Sequence, residues 1–175
     1  GGGGGAVEWY LGQLEKRPIL TKSWTSAVIG AGGDVMCQML VEKQQCLDAY
    51  RTGKMGFLGF VLVGPTLHTW FGMLHRLIPH QGTTGVLIRL ALDQTIFATS
   101  FTCVMFSAVL TLDGKQKEIP STLKRELWPA LKANWQLWIP GNFINFSFVP
   151  LRLQVLFANG IAVIWNIYLS MASHR

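Results

Sequence analysis

The chain of 175 residues is half hydrophobic, and only 14% of its residues are charged, against about 25% in soluble domains. Its formal net charge is +6, but the Lys and Arg residues are scattered through short connecting segments. A nucleic-acid-binding protein needs them clustered on one surface, so the composition predicts a membrane protein and excludes a nucleic-acid partner.

The N-terminal segment combines a glycine run with a short helical pattern. Residues 1–5 are all glycine and would behave as a flexible tether, so we interpret residues 1–7 as the remnant of a removed leader, although a truncated chain would look the same. Residues 8–17 carry apolar side chains at near-helical spacing, and Pro18 follows them. This pattern predicts a short amphipathic helix, either at the membrane surface or exposed to water.

Three apolar segments follow, each long enough to cross the hydrocarbon core of a bilayer as a helix. The predicted spans are residues 22–41, 54–78 and 86–112. Glycines near the centre of the first span would let a neighbouring helix approach closely. In the second span, the Gly64-Pro65 pair predicts a kink, because proline removes a backbone hydrogen bond.

The C-terminal part of the sequence joins an amphipathic segment to a long apolar one. Residues 118–132 place leucines on one stripe and basic residues opposite, which predicts an interfacial helix or the water-exposed start of the next span. Residues 134–170 contain a single charged side chain, Arg152. We expect two crossings here, separated by a break at Pro150. They are residues 135–148, which are short for a full span, and residues 151–171.

These segments together predict an all-α fold. It would be a multi-pass transmembrane helical bundle of four to five spans with amphipathic interfacial helices, folded as a single membrane domain over residues 8–175. Basic residues flank the spans on both sides in similar numbers, so the positive-inside rule does not fix the orientation.

Several polar side chains fall inside the predicted spans, where each costs a few kcal/mol unless it is paired or hydrated. They could line a water-filled path through the bundle. Alternatively, these side chains form hydrogen bonds between helices, with Arg89 neutralising Asp93 four residues later. This second interpretation is favoured, because polar pairs between helices are common and pores are not. The candidate pore or polar-network residues are Asp34, Gln38, His68, Asp93, Gln94, Asn142, Asn145 and Arg152.

Signatures of catalysis and of cofactor binding are missing from the sequence. It has no glycine-rich loop between a strand and a helix, no Walker lysine, no HExxH motif and no nucleophile elbow. Cys37, Cys46 and Cys103 form no CxxC pair, and the histidines show no ligand spacing. We therefore predict that the protein is not an enzyme and has no catalytic residue, metal or cofactor.

Five motifs in chain order resemble those of one membrane-protein family. They are Trp9-Tyr10 to Thr21, Gly33-Asp34 to Gln38, Gly64-Pro65 to Trp70, Asp93-Gln94, and the pattern WxxW…NFxNFxFVP…FAN…WNxYLS within residues 134–170. On these residues the chain resembles the Mpv-seventeen family, also called the 22-kDa peroxisomal membrane protein family, and most of all its plant and algal, organelle-targeted branch. It departs from the family pattern at Asn142, where Gln is usual, and at Gln154, where Arg is usual; Arg152 lies close to that second position.

The resemblance implies a multi-pass protein of a peroxisomal, mitochondrial inner or plastid membrane, with no catalytic residues to carry over. For this chain we expect the mitochondrial inner membrane or a chloroplast membrane, with the peroxisomal membrane as the alternative. Some members of the family are described as weakly selective channels for small metabolites, and others only as required for organelle homeostasis.

The predicted function is therefore a weakly selective channel for small hydrophilic metabolites. The alternative is a structural or accessory subunit docked on a larger membrane complex. A third interpretation, lipid or pigment binding in aromatic grooves around Trp135 and His68, has no sequence signature. The expected partners are membrane lipids and either further copies of the chain or a larger membrane complex.

Overall fold

The computed structural model describes the backbone of residues 3–173 and the side chains of residues 4–165 and 167. Six long helices account for most of these residues, and the all-α prediction is confirmed. The helices are α1 (Gly3–Lys16), α2 (residues 18–41), α3 (Ala49–Leu77), α4 (Thr83–Leu112), α5 (Ile119–Phe148) and α6 (Leu151–Ser173). A single 3₁₀ turn, Gln116–Glu118, precedes α5.

Two helices of the described chain are long and apolar enough to cross a membrane. They are α3 and α4, and the Leu151–Trp165 part of α6 is apolar but shorter. Lys22 and Asp34 interrupt the apolar character of α2, and basic residues occupy the first half of α5. The four to five spans therefore stay a prediction, because length and composition support two of them.

The start of the chain is helical further upstream than its amphipathic pattern indicates. Helix α1 begins at Gly3 rather than at residue 8, and it buries Leu14. Arg17 leaves the helical conformation, with φ −139° and ψ 67°, and Pro18 starts α2. Proline is tolerated there because the first N–H groups of a helix have no partner within the helix. The leader interpretation of residues 1–7 stays a prediction.

Three of the helices contain a π turn, in which each bond reaches five residues back instead of four. These turns are Cys37–Val41 in α2, Gly59–Val63 in α3 and Asp93–Phe97 in α4. The turn in α3 ends directly before Gly64-Pro65, where the sequence predicts a kink. Because Pro65 has no N–H to donate, a wider turn at this point is a usual way to absorb the lost bond.

Of the two alternatives for residues 118–132, the structure agrees with the start of the following helix and not with a separate interfacial helix. Residues 119–148 form one continuous helix, α5, which contains Pro129 and Pro140. Each proline removes one backbone bond, at a cost of about 3 kcal/mol, but no residue between the two predicted segments breaks the helix. The predicted break at Pro150 is confirmed: α5 ends at Phe148, and Val149 is extended, as the residue before a proline prefers.

The described residues form two compact units, each with its own core. The first contains α1, α2, α6 and α3 up to Met73, and the second contains the end of α3, α4 and α5. In the first unit Phe71, Val155 and Ala158 are nearly inaccessible, and in the second Leu74 and Leu131 are. The single membrane domain over residues 8–175 stays a prediction.

Helices α2 and α3 approach each other closely in the first unit, through glycines of both helices. A Cβ atom added at Gly64 would lie 2.6 Å from the Cα atom of Ser23, and one added at Gly59 would meet the carbonyl oxygen of Ser26. At Gly30 an added Cβ would lie 3.1 Å from the carbonyl oxygen of Met55. Backbone contact of this kind brings polar side chains of α2 within reach of α3.

Candidate functional site

The first group of polar side chains, called the Asp34 cluster here, comprises the buried Asp34 and Gln38 of α2 with the partly buried Arg51 and Thr52 of α3. The Asp34 Oδ2 atom accepts hydrogen bonds from Gln38 Nε2 at 2.7 Å and from Thr52 Oγ1 at 2.8 Å. Arg51 Nε lies 2.6 Å from Asp34 Oδ1. The Asp34 carboxylate is 5% exposed, so this arrangement supplies both the charge and the donors that a buried carboxylate needs.

Two further contacts hold the Asp34 cluster in place. Gln38 lies within the π turn of α2, and its Oε1 atom accepts from the backbone N–H of Asp48 at 2.7 Å. Arg51 Nη1 also lies 2.9 Å from Glu42 Oε2. The i, i+4 spacing of Asp34 and Gln38 predicts a shared face, which is confirmed. Arg51 and Thr52 belong to another helix, so no local spacing in the sequence indicates that they contact Asp34.

Lys22 and His68 form a second polar pair in the first unit, in which Lys22 is buried and His68 is partly buried. Lys22 Nζ of α2 lies 2.8 Å from His68 Nδ1 of α3, and Lys22 is only 6% exposed. Among the described residues, no carboxylate pairs with Lys22. The sequence pattern indicates His68 but not Lys22, because a lysine near the start of a span is expected to extend its amine to the interface.

His68 and Asp34 belong to separate groups within the first unit. Lys22, which is the partner of His68 on α2, and Asp34 are twelve residues apart. This separation is about 18 Å along a helix axis. Asn159 of α6 donates to Ser26 Oγ at 2.8 Å and so links a third helix to α2. The sequence analysis missed this contact as well.

The third group, called the Asp93 cluster here, lies in the second unit and joins α4 to α5. Asn142 Nδ2 and Gln94 Nε2 both donate to Asp93 Oδ2, at 2.7 and 2.8 Å. Asn145 Nδ2 lies 3.5 Å from Asn142 Oδ1. All four side chains are at most 6% exposed. The structure thus brings together four of the residues that the sequence analysis selected.

A π turn shapes the Asp93 cluster. In an α-helix the Ala98 N–H would bond to the Gln94 carbonyl, but here it bonds to the Asp93 carbonyl. The Gln94 carbonyl instead accepts from Trp135 Nε1 of α5 at 3.0 Å. An altered turn in one helix is therefore matched by an indole donor from another.

The expected neutralisation of Asp93 by Arg89 is wrong. Arg89 Nη2 donates to the backbone carbonyls of Ile78 and His80, at 2.6 and 3.2 Å. These carbonyls follow the end of α3, where the last C=O groups of a helix lack partners and carry partial negative charge. That local demand outweighs the i, i+4 spacing to Asp93.

Arg152 does not belong to any of the buried polar groups described above. Its guanidinium is half exposed, with Nη1 at 3.9 Å from Glu15 Oε1, whereas Gln154 is 1% exposed. Arg152 therefore does not fill the buried position at which the resembling family usually has arginine. A pore role for it and for the other seven selected residues stays a prediction.

Comparison with known proteins identifies relatives that align with almost the whole chain. Protein SYM1 of Gibberella zeae is 42% identical over 97% of this chain and 98% of its own. The chain belongs to the Mpv17 / PMP22 family. The model of that family matches residues 110–170, which include the apolar tract where the resemblance is densest. No solved structure matches the chain.

Other members of the Mpv17 / PMP22 family show the same coverage. The mitochondrial inner membrane protein Mpv17 of Bos taurus is 36% identical over 94% of this chain and 98% of its own. Peroxisomal membrane protein 2 of Bos taurus is 34% identical over 94% and 88%. The chain is therefore a protein of an organelle membrane. The family is not enzymatic, so the prediction that the chain is not an enzyme is confirmed.

Proposed function

We propose that this member of the Mpv17 / PMP22 family is a weakly selective channel for small hydrophilic metabolites. The observation that supports the proposal most is a polar side chain within each apolar helix suited to crossing a membrane. His68 lies in α3, and Asp93, which is 2% exposed, lies in α4. Ionisable groups at such depth are costly, and their default explanation is a path for ions or solutes.

The chemistry of these groups favours weak selectivity. The Lys22–His68 pair offers a cationic or neutral donor, the Asp93 carboxylate offers an acceptor, and the amides of Asn142 and Gln94 offer both functions. Within the second unit alone, a path lined by a carboxylate and by amides would accept uncharged hydroxylated solutes as well as small cations. It would exclude neither by charge alone.

For the organelle we propose the mitochondrial inner membrane, with the peroxisomal membrane as the alternative, since relatives named for each compartment match almost the whole chain. The relatives compared include proteins of Gibberella zeae, Bos taurus and Dictyostelium discoideum. None of them supports a chloroplast membrane or the plant and algal branch, so that assignment rests on the wording of the sequence motifs alone.

The test is solute flux from liposomes that contain the purified full-length chain. We expect release of entrapped small sugars and organic acids above the lipid background, and a changed rate after Asp93→Asn, which removes the buried charge and keeps the shape. The matched control is Asp113→Asn, the same exchange at an exposed carboxylate directly after α4. If wild type gives no flux above background, or if both exchanges change it equally, the channel proposal fails.

The second candidate, a structural or accessory subunit, draws support from the Asp34 cluster. Its side chains bond to one another across two helices, as packing contacts would. Native gels in mild detergent separate the two functions. Migration within a larger complex, together with absent flux, would favour the accessory subunit, whereas migration alone with flux would favour the channel.

A further inference from the structure

Helices α1 and α2 fold back along each other and leave an open groove between them. The turn at Arg17 and Pro18 reverses the chain, and Tyr10 Oη of α1 lies 2.8 Å from Thr25 Oγ1 of α2. The groove has a volume of about 400 Å³ and is lined by side chains of both helices and of the turn. It lies entirely within the first unit.

The walls of the groove are apolar and aromatic. Trp9 and Trp24 are 66% and 59% exposed, and Val28 further along α2 is 67% exposed. The Trp24 ring packs edge-on against Phe60, with ring centroids 4.9 Å apart, so this contact holds the indole in the wall of the groove. Tryptophan rings are common at the interface of membrane proteins, and an exposed apolar patch beside them is a typical site of membrane contact.

The turn end of the groove is cationic. Arg17 is exposed and forms no ion pair among the described residues, because the neighbouring Glu15 lies nearest to Arg152, at 3.9 Å. Helix α2 begins at the next residue, Pro18, and no side chain caps its N-terminus. An uncapped helix N-terminus beside a free guanidinium favours a bound phosphate group.

We propose that this groove binds one anionic phospholipid, with its phosphate at Arg17 and one acyl chain along Trp24 and Val28. The distance supports this occupant. Arg17 and Val28 are eleven residues apart, about 16 Å along a helix, which is close to the half-thickness of a hydrocarbon core of about 30 Å. The lipid would fix α1 against α2 at the interface. This inference does not depend on the channel proposal.

The test measures the quenching of tryptophan fluorescence by lipids with brominated acyl chains, which quench on contact. The full-length chain is reconstituted in phosphatidylcholine vesicles that contain graded fractions of brominated phosphatidylglycerol or brominated phosphatidylcholine. We expect the anionic lipid to quench more than the zwitterionic lipid at the same mole fraction. The excess should largely vanish in Trp24→Phe, which removes the indole in the groove.

Arg17→Gln should weaken the preference for the anionic lipid about tenfold, the equivalent of about 1.4 kcal/mol. The matched control, Arg125→Gln, removes the same charge at an exposed arginine whose Nε lies 2.6 Å from Glu126 Oε1 and should keep the preference. Equal quenching by both lipids in wild type, or an undiminished preference in Arg17→Gln, would overturn the proposal. An equal loss in Arg125→Gln would attribute the effect to net charge and overturn it too.

Native mass spectrometry gives a second measurement that does not rely on tryptophan. Wild type released from mild detergent should retain one anionic phospholipid per chain, and Arg17→Gln should retain none or far fewer. Circular dichroism of the variant should match wild type, because Arg17 is exposed. If Arg17→Gln loses helix content, Arg17→Lys replaces it and should retain the lipid through its charge. Absence of bound phospholipid in wild type would refute the site.

Discussion

Lys22 Nζ lies 2.8 Å from His68 Nδ1, and this contact joins α2 to α3 within the first unit. Two positive charges at such a distance would repel each other by several kcal/mol in a partly buried setting. At most one of the two side chains is therefore charged, and Nδ1 accepts the hydrogen bond when lysine is the donor. The pair acts as a single cation or as a neutral pair, shared between two helices.

Replacing Lys22 by methionine should therefore destabilise the protein although it removes a buried charge. His68 Nδ1 would lose its donor, and because His68 is only partly buried the loss should lie at or below that of a fully buried unsatisfied group, about 1–3 kcal/mol. The double variant Lys22→Met/His68→Phe should be more stable than the sum of the two single effects indicates, with a coupling of about 0.5–3 kcal/mol. Thermal unfolding in detergent measures all three variants. The control is Lys117→Met, at an exposed lysine, which should change little.

Arg51 should contribute more to stability than an ion pair at the surface. Arg51→Gln leaves the Asp34 carboxylate, which is 5% exposed, without its cation, although Arg51 itself is 35% exposed. The loss should therefore lie between that of a surface pair, below about 1 kcal/mol, and that of a fully buried pair, about 3–5 kcal/mol. The matched control is Arg125→Gln, whose partner Glu126 is exposed, with an expected loss below about 1 kcal/mol. Equal losses in chemical denaturation would contradict the buried ion pair.

The close approach of α2 and α3 should make two glycines intolerant of a single methyl group. Gly64→Ala would place a Cβ atom 2.6 Å from the Cα atom of Ser23, and overpacking of a tight contact costs about 1–3 kcal/mol. Gly59→Ala should do the same against Ser26. Gly72→Ala on the same helix meets nothing within 4 Å, and it should gain up to about 1 kcal/mol from its higher helix propensity. Unfolding temperatures of the three variants give the comparison.

Trp135→Phe should destabilise the second unit through the π turn of α4. The indole N–H donates to the Gln94 carbonyl at 3.0 Å, and phenylalanine leaves that carbonyl without this donor at a cost of about 1–3 kcal/mol. Trp128→Phe is the control, because Trp128 is 56% exposed and donates to no backbone carbonyl among the described contacts. Hydrogen exchange of residues 93–98 should accelerate in the first variant alone. Unchanged exchange there would argue against a supporting role for Trp135.

Local patterns predicted those features of the fold that depend on residues close in the chain. The chain breaks at Pro150, the first helix ends before Pro18, and Asp34 and Gln38 meet because they are four residues apart. The Gly64-Pro65 pair correctly indicated an irregular helix, although the irregularity is a π turn just before it. In each case the cause is a dihedral restriction or a helix period, which a single sequence displays.

Contacts between helices could not be predicted from local sequence patterns. Arg51 reaches Asp34, and Asn142 reaches Asp93 across 49 positions, and no periodicity relates residues on separate helices. Arg89 shows the opposite error: its spacing favoured Asp93, but the carbonyls at the end of α3 bind it instead. The sequence left open whether residues 118–132 join the next helix, because the amphipathic first half and the apolar second half of α5 differ in composition, although no helix-breaking residue separates them.

Each π turn also rotates one part of its helix relative to the other. One extra residue corresponds to a rotation of about 100° around the helix axis. The side chains of α4 that follow Asp93–Phe97 are therefore rotated by about this angle relative to their positions in a regular α-helix. Deleting one residue in this turn should restore regular geometry, yet swing Asp93 away from Asn142. Sequence length in this region is therefore under tighter constraint than residue identity, and related chains should tolerate substitutions here more readily than single-residue gaps.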